Sequence, residues 1–334
     1  MPYEYATGQW RNHIKYSCYD CNYSNLDDKD AAQKHVDGSK HGLSINCDDE
    51  TFIRQSAGTV PNIHVTLGFL TWNTFIVSAE GAKSLYEEAK RLNQLGIIVN
   101  VVILDNGSTD GTYDSLLNTR RNNSFDGFSI ILGNRVNEGI SKARNRIIEE
   151  ALYRGSNYLL MLDGDIQVVP FSTFAMTKYL YDHPNVGCIG AYAHHWTQDK
   201  KDATRRLYEI PDSRVEHDIP CAWTQYGMFR CAMFQAGMRF DENGPFGEPG
   251  WGFEDDDLGF QMVEAGWKNK YFNGMTYLHR NVRSSWPNLT ASGVDVFSAF
   301  KARKAYLHQK WRSSKKVWPL CNVAMAQRMP ETYG

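Results

Sequence analysis

From residue 60 onwards, short apolar runs alternate with stretches of helical periodicity. The apolar runs are NIHVTLGFLTW, GIIVNVVILDNGS, FSIILGN, SNYLLMLDGDIQVV and VGCIGAYA, and one of the helical stretches is GISKARNRIIEEALYRG. Short buried runs separated by helices are typical of parallel strands joined by crossover helices. We therefore predict an α/β fold with a Rossmann-like, mostly parallel sheet.

Polar residues follow three of these runs. Thr71 and Trp72 end the first, residues 105–108 end the second, and Asp163 and Asp165 end the third. Ligands of open α/β sheets bind at the carboxyl ends of the strands, so we expect these ends to converge on one crevice. The pair Asp163-Gly164-Asp165 offers two carboxylates suited to a hard divalent cation that also bridges diphosphate oxygens. An ordinary Asp-Gly turn is the alternative.

Bulk composition indicates a globular protein. The chain has 334 residues, 42% of them hydrophobic and 22% charged, which suffices for one large domain with a small appendage. Neither an apolar signal core nor a run of about 18 apolar residues occurs, so we expect no membrane contact. Seven scattered cysteines fit a reducing compartment, and we expect a cytoplasmic protein.

Residues 1–50 contain a zinc-ligand pattern. Cys18 and Cys21 are followed, after thirteen residues, by His35 and His41. Two thiolates and two imidazoles at such separations suit a structural, tetrahedral Zn²⁺, whose binding would supply the folding energy of so short a segment. A coincidence of unrelated cysteines and histidines is the alternative.

The frame of this pattern, HVDGSKHG with Tyr16 two residues before the first cysteine, resembles U1- or matrin-type C2H2 fingers. That resemblance implies a module that grips duplex nucleic acid. The segment between Cys21 and His35 lacks the large aromatic residue of common C2H2 fingers, so a purely structural module stays open. Cys47 is close enough to be an alternative ligand.

Three motifs between residues 60 and 290 resemble family 2 glycosyltransferases with the GT-A fold: VILDNGSTDGT, NEGISKARNRII and MLDGDIQVVP. The resemblance implies that Asp105 contacts the nucleobase or ribose of a nucleotide-sugar, expected to be a UDP-sugar. It also implies that Asp165 binds Mn²⁺ or Mg²⁺ with Asp163 beside it. Thr71 and Arg144 are assigned to the donor site on the same basis. Asn106 stands where the family usually has a second acid, which leaves the nucleotide open.

The stretch GPFGEPGWGFEDDDLGFQ places four successive carboxylates after a tryptophan. Such a run costs stability unless solvent, a cation or a helix N-terminus absorbs the charge, and a solvated helix start is one interpretation. The stretch also resembles the acceptor-side motif of β-1,4-galactosyltransferases. This resemblance implies that Trp251 lines the sugar pocket and that Asp255 is the catalytic base.

On the same resemblance, Glu254 and Asp256 bind acceptor or donor hydroxyls and raise the proton affinity of the base by repulsion. Phe253 replaces a glycine of that motif and is expected to narrow the donor pocket. His279, in MTYLHRNVRSS, lies where those enzymes bring a histidine to the metal. Asp165, His279, diphosphate oxygens and water would form a six-coordinate site. A capping histidine is the alternative.

The segment 291–334 is basic and aromatic. From Arg280 to Arg328 there are ten Lys or Arg residues against one acid, Asp295. Cations can contact phosphates and aromatic rings can stack on bases. An amphipathic helix that packs its aromatic residues on the body is the alternative.

Taken with the finger, the basic segment favours a metal-dependent inverting transferase whose acceptor is a hydroxyl on a nucleic-acid base, in the manner of bacteriophage enzymes that glycosylate hydroxymethylated pyrimidines in DNA. A glycan or protein acceptor, and a non-catalytic nucleic-acid-binding protein, stay as alternatives.

Overall fold

The computed structural model describes residues 14–18, 24–26, 43–47, 62–123, 127–168, 170, 172–195, 216–218, 222, 224–250, 252–279 and 285–321. Near the N-terminus, β1 (Ile14–Cys18), β2 (Ser24–Leu26) and β3 (Leu43–Cys47) form an antiparallel sheet in the order β2-β1-β3. Cys18 ends β1 and pairs with Leu43. Cys21, His35 and His41 lie outside the described residues, so the zinc site stays a prediction.

Nine further strands form the main sheet: β4 (His64–Thr71), β5 (Ile98–Asp105), β6 (Phe128–Gly133), β7 (Tyr158–Asp163), β8 (Ile166–Gln167), β9 (Val186–His195), β10 (Glu216–Asp218), β11 (Tyr226–Arg230) and β12 (Lys268–His279). Their order is β10-β12-β9-β11-β7-β4-β5-β6, and β8 pairs with β12.

The block β7-β4-β5-β6 is parallel throughout, and β4, β5 and β7 are buried along almost their whole length. These are the apolar runs that the sequence marks as strands. The predicted α/β fold with a mostly parallel central sheet is confirmed. The antiparallel strand β11, which separates β7 from β9, is an addition that the periodicity does not reveal.

Helices cover both faces of this sheet. They are α1 (Phe75–Gln94), α2 (Thr112–Asn122), α3 (Ile140–Tyr153), α4 (Ser172–Asp182), α5 (Cys231–Gln235), α6 (Glu254–Glu264), α7 (Ser285–Ala291) and α8 (Val296–Trp311). One core joins the sheet to α1, α2 and α4, and another joins it to α3, α5 and α6. Within the part of the chain that the structure describes, every helix is too short or too polar to cross a bilayer.

A third core joins α6 to the C-terminal helix α8. It contains the buried side chains Phe246, Phe253, Phe260, Phe300 and Leu307. Each of the aromatic rings buries enough apolar area to contribute about 2–3 kcal/mol to this contact. The C-terminal helix is therefore packed on the helix that carries the four acids.

Candidate active site

The carboxyl ends of β7, β4 and β5 lie side by side. In the parallel ladders, Leu70 pairs with Asp163 and Thr71 pairs with Asp105. The N–H of Asn106 donates to the carbonyl oxygen of Thr71 over 2.9 Å, which extends the ladder into the turn. The structure thus brings together the three polar strand ends that the sequence predicts to converge.

Asp105 is held in a tight turn. Its carboxylate accepts hydrogen bonds from the backbone N–H of Ser108 at 3.0 Å and from the Ser108 hydroxyl at 2.5 Å. Burial raises the pKa of Asp105, and the bonds from Ser108 act in the opposite direction. The side chain is therefore oriented before any ligand binds.

Three hydrogen bonds join the loop after β4 to the turn after β5. The Asn73 N–H donates to the Ser108 hydroxyl, the Asn73 side-chain oxygen accepts from the Thr109 N–H, and the Phe75 N–H donates to Asp110. Phe75 itself is 46% exposed although it is a large aromatic residue. This exposed ring beside the Asp105 turn is a feature that the sequence motifs do not flag. Its position at the start of α1, four residues after the end of β4, was the available signal.

Asn106 does not face this crevice. It is buried, its amide nitrogen donates to the Asn137 side chain and to the Gly139 carbonyl, and its amide oxygen accepts from Asn134 and from the Glu138 N–H. The residue therefore ties the loop before α3 to the end of β5. An acid at this position could not donate the two bonds that Asn106 makes.

Thr71 is also buried. Its hydroxyl is 2.6 Å from the hydroxyls of both Thr74 and Ser78, and Ser78 donates to the Gly164 carbonyl over 3.2 Å. A Cβ on Gly164 would lie 2.7 Å from the Thr71 hydroxyl oxygen, so no larger residue fits between the two aspartates. Thr71 shapes the Asp-Gly-Asp turn, and its hydroxyl is already engaged.

Arg144 lies in α3 and binds the end of β7. Its guanidinium is 2.7 Å from the Asp163 carboxylate and donates to the Thr224 carbonyl over 3.0 Å. Arg144 is 3% exposed. In the structure Arg144 pairs with Asp163, and its expected contact with the donor stays a prediction. A carboxylate held by a cation is the weaker metal ligand, which favours Asp165 as the ligand of the pair.

The His279 side chain lies outside what the structure describes, so the divalent-cation site stays a prediction. Directly after Asp165, Ile166 pairs with His279, so the backbone of β12 ends beside the Asp-Gly-Asp turn. Among the described side chains no group of three or more His, Cys, Asp or Glu residues could hold a metal. One carboxylate and one imidazole with diphosphate oxygens and water suit Mn²⁺ or Mg²⁺, which commonly take substrate phosphates as ligands.

The four carboxylates at the start of α6 have different environments. Asp257 is fully buried and accepts from the Lys310 ammonium at 2.9 Å, from the Trp311 ring N–H at 2.8 Å and from Gln261 at 2.9 Å. It joins α6 to α8 and has a structural role that the sequence motif does not assign.

Glu254 and Asp256 are buried as well. Glu254 is 5% exposed, and its carboxylate is 3.5 Å from the guanidinium of Arg303. Asp256 is 1% exposed, and after burial its charge is the second cause that raises the pKa of Cys321, to about 11. In this arrangement neither carboxylate offers an open surface to an acceptor or donor hydroxyl. The role expected from the motif stays a prediction for both.

Asp255 is the member of the run that is partly exposed. Its carboxylate accepts from the Asp256 N–H, and its carbonyl accepts from the Ala222 N–H. Further along the chain, the Thr224 carbonyl accepts from Arg144 and the Gln225 carbonyl accepts from the Asp163 N–H. Residues close together in the chain thus contact both the acidic helix and the carboxyl end of β7.

Phe253 is not in the donor pocket, contrary to expectation. It is 1% exposed and its ring packs on Phe300 with 4.7 Å between ring centroids. Its φ of 70° is in the left-handed region that favours glycine, which explains a glycine at this point of the related motif. Burial of the ring offsets the backbone strain. Trp251 lies outside the described residues.

The cations of α8 divide into two groups. Arg303 and Lys310 point inwards to Glu254, Asp241 and Asp257, so they do not reach a polyanion, and the amphipathic-helix interpretation holds for them. A different face of the helix lines a shallow groove of about 550 Å³, with Lys301, Lys304, Ala305, His308, Gln309 and Arg312. Lys301 and Arg312 are exposed there.

Comparison with known proteins agrees with this fold. Residues 85–239 match the profile of Glycosyl transferase family 2. The match covers less than half of the chain, and together with the fold it identifies the chain as a glycosyltransferase. A comparison with curated protein sequences gives no match.

Among solved structures, the mannosyltransferase PcManGT from Pyrobaculum calidifontis, in complex with GDP-Man and Mn²⁺, shares the fold. The TM-score is 0.54 at 14% identity, over 82% of this chain and 76% of that one. GalNAc-T7 with UDP, GalNAc and Mn²⁺ is 14% identical over 65% and 44% of the two chains, and S. aureus TarS 1-349 is 13% identical over 76% and 73%. Both have a TM-score of 0.49.

Proposed function

We propose that the protein is a metal-dependent, inverting glycosyltransferase that moves a sugar from a UDP-sugar to an acceptor hydroxyl. The observation that carries the proposal is the link through the backbone of Ala222, Thr224 and Gln225. Ala222 donates to the carbonyl of Asp255, the partly exposed acid of the run, and Thr224 and Gln225 accept from Arg144 and from the N–H of Asp163 at the end of β7. A proton acceptor and a diphosphate site would then share one cavity.

The donor would lie across the carboxyl ends of β4, β5 and β7. Asp105 offers a preoriented carboxylate for the nucleobase or ribose, and the exposed ring of Phe75 offers a stacking surface beside it. Asp165 and His279 would hold the cation, which neutralises charge on the diphosphate when bound. PcManGT was solved with GDP-Man and Mn²⁺, a donor and metal of the same classes.

In the reaction, the acceptor oxygen forms a bond to the anomeric carbon while the bond from that carbon to the diphosphate oxygen breaks. The nucleoside diphosphate leaves with the electron pair, and Asp255 takes the proton of the acceptor hydroxyl. A positioned carboxylate of this kind raises the reaction rate by about 10²- to 10⁴-fold. Attack from the face opposite the leaving group inverts the anomeric configuration.

The acceptor is proposed to be a nucleic-acid base that carries a hydroxyl, such as a hydroxymethylated pyrimidine in DNA. The groove face of α8 supports this proposal, because Lys301 and Arg312 are exposed on it and no acid lines it. Phosphates of a duplex would occupy this face. The N-terminal Cys and His pattern adds a second expected contact with nucleic acid.

Donor hydrolysis tests the chemistry, with water as the acceptor. Wild-type protein with Mn²⁺ should hydrolyse a nucleotide-sugar from a donor panel, and Asp255→Asn should lower turnover by about 10²-fold or more while donor binding is kept. Glu149→Gln, an exposed acid on α3, is the control. Undiminished turnover in Asp255→Asn would remove the base assignment.

Hydroxymethylated duplexes test the acceptor, with mass detection of the glycosylated base. The double variant Lys301→Gln/Arg312→Gln should bind duplex more weakly. The slope of the logarithm of its binding constant against the logarithm of salt concentration should become shallower by about two. The double variant Lys83→Gln/Lys90→Gln, exposed on α1, should show neither change. Transfer to a glycan or protein but never to a duplex would overturn the nucleic-acid acceptor.

A further inference from the structure

The C-terminal helix α8 places one arginine, Arg303, beneath the loop that precedes α6. Arg303 is 1% exposed and donates to the carbonyl oxygens of Glu248 at 2.7 Å and Gly252 at 3.4 Å. A Cβ on Gly250 would lie 2.8 Å from the Arg303 Nε, so the loop closes directly over the guanidinium. Arg303 thus binds both sides of the loop that leads into α6.

The same guanidinium holds Glu254. The two side chains are 3.5 Å apart and are 1% and 6% exposed. On the other side, Arg144 is close enough to Glu254 for its charge to act on the carboxylate, and Arg144 also pairs with Asp163 at 2.7 Å. Acids and arginines therefore alternate from the metal-side strand end to the C-terminal helix, in the order Asp163, Arg144, Glu254, Arg303.

We propose that Arg303 is a positioning residue for sugar transfer, which fixes the backbone of Glu248 and Gly252 before α6 and keeps Glu254 as the buried anion next to Asp255. The inference rests on the proposed function. It assigns part of the active site to a helix that lies outside the segment 85–239 matched by the family profile.

The electrostatics of Glu254 support this role. Burial raises the pKa of Glu254, the charge of Asp255 raises it further, and Arg303 and Arg144 act in the opposite direction. Asp256 and Asp257 are its further neighbours on α6, and Lys310 compensates Asp257. Without Arg303 the pKa of Glu254 rises, so Glu254 becomes neutral at a higher pH.

The test is the pH profile of donor hydrolysis. Arg303→Met should lower kcat by about 10- to 100-fold at pH 7 with little change in the KM for donor, since a displaced loop misplaces the base. Its acidic limb should move to higher pH. Arg303→Lys keeps the charge but loses the hydrogen bonds to both Glu248 and Gly252. Its kcat should therefore fall, while the acidic limb of its pH profile should stay in place.

Arg230→Met is the matched control. Arg230 also binds backbone carbonyls, those of Leu180, His183 and Val186, but it lies at the opposite end of β7. Its loss should lower Tm without moving the limb. A limb in Arg303→Met that coincides with the wild-type limb would overturn the inference and leave the proposed function intact.

A second readout does not depend on turnover. The ion pair exists only while Glu254 is ionised, so the Tm gap between wild type and Arg303→Met should widen as pH rises from 5 to 8. A constant gap would overturn the pairing. Wild-type protein without turnover on any donor would instead overturn the proposed function, whatever the gap shows.

Discussion

At position 106, the amide nitrogen of asparagine makes hydrogen bonds that an acid could not make. The turn motif of related enzymes has an acid at this point, and the sequence leaves the nucleotide open. In the structure the side chain is buried and acts on the loop before α3 instead. Its amide donates to the Asn137 side chain at 3.0 Å and to the Gly139 carbonyl at 3.3 Å. A carboxylate would present a lone pair where a donor is needed.

Asn106→Asp should therefore destabilise the protein by about 1–3 kcal/mol at pH 7, because a buried carboxylate would face the oxygens of Asn137 and Gly139 with lone pairs where the amide donates two hydrogen bonds. Urea unfolding measures the change. Asn185→Asp, at an exposed position, makes the same chemical change and should stay within about 0.5 kcal/mol of wild type. Equal midpoints for the two variants would show that the amide network contributes nothing.

At the scale of elements, α6 and α8 behave as one unit. Their shared core is apolar, and Asp257 adds a polar tie to Lys310 and Trp311 at its centre. The first turn of α6 also receives the acids favourably, since negative charge is stabilised at a helix N-terminus. The run of like charge is thus tolerated because α8 supplies two cations, one to Glu254 and one to Asp257.

Asp257→Ala should cost about 2–4 kcal/mol, since it leaves a buried ring N–H without an acceptor and Lys310 with Asp241 alone. Asp257→Asn keeps an acceptor for Trp311 and should cost less. Chemical denaturation of both variants ranks them. An Ala variant as stable as the Asn variant would contradict a polar tie between the helices.

At the scale of the whole molecule, stability depends on pH through carboxylates whose pKa values shift in opposite directions on folding. Burial alone would raise the pKa of Asp241, but the ammonium of Lys310 and the N–H of Asn243 outweigh burial and lower it. The stabilisation from Asp241 is therefore present above its unfolded pKa of about 3.9 and is lost as pH falls through the folded value. Glu254, with a raised pKa, stabilises below its unfolded value and loses that contribution as pH rises.

Thermal unfolding of Asp241→Asn follows from this sign. The variant should melt below wild type at pH 7, and the gap should close as pH falls below about 4, because wild-type Asp241 then takes up a proton too. The exposed acid Asp114, replaced by Asn, gives the baseline. A gap of constant size from pH 7 to pH 3 would show that the pair with Lys310 does not contribute.

Much of the fold was readable in the chain because strand burial and helix crossover leave a periodic pattern. The ends of β4, β5 and β7 converge as the three polar termini predict, since parallel strands present their carboxyl ends at one edge. The antiparallel strand β11 was not readable, because YGMFR is too short to carry a distinct period. Roles inside the acidic run were not readable either, since the four residues have the same chemistry and differ only in what packs against them.

The sequence by itself determined the class of protein. The evidence was a buried strand that opens into Asp-Gly-Asp, a preceding Asp turn and the family motifs. These are local patterns, which can be recognised from the order of residues alone. Only the tertiary structure decided which charges work together. Arg303 meets Glu254 across 49 residues, Lys310 meets Asp257 across 53, and Arg144 meets Asp163 across 19. Such pairings depend on how helices pack on the sheet, and packing brings together side chains whose spacing in the chain carries no signal.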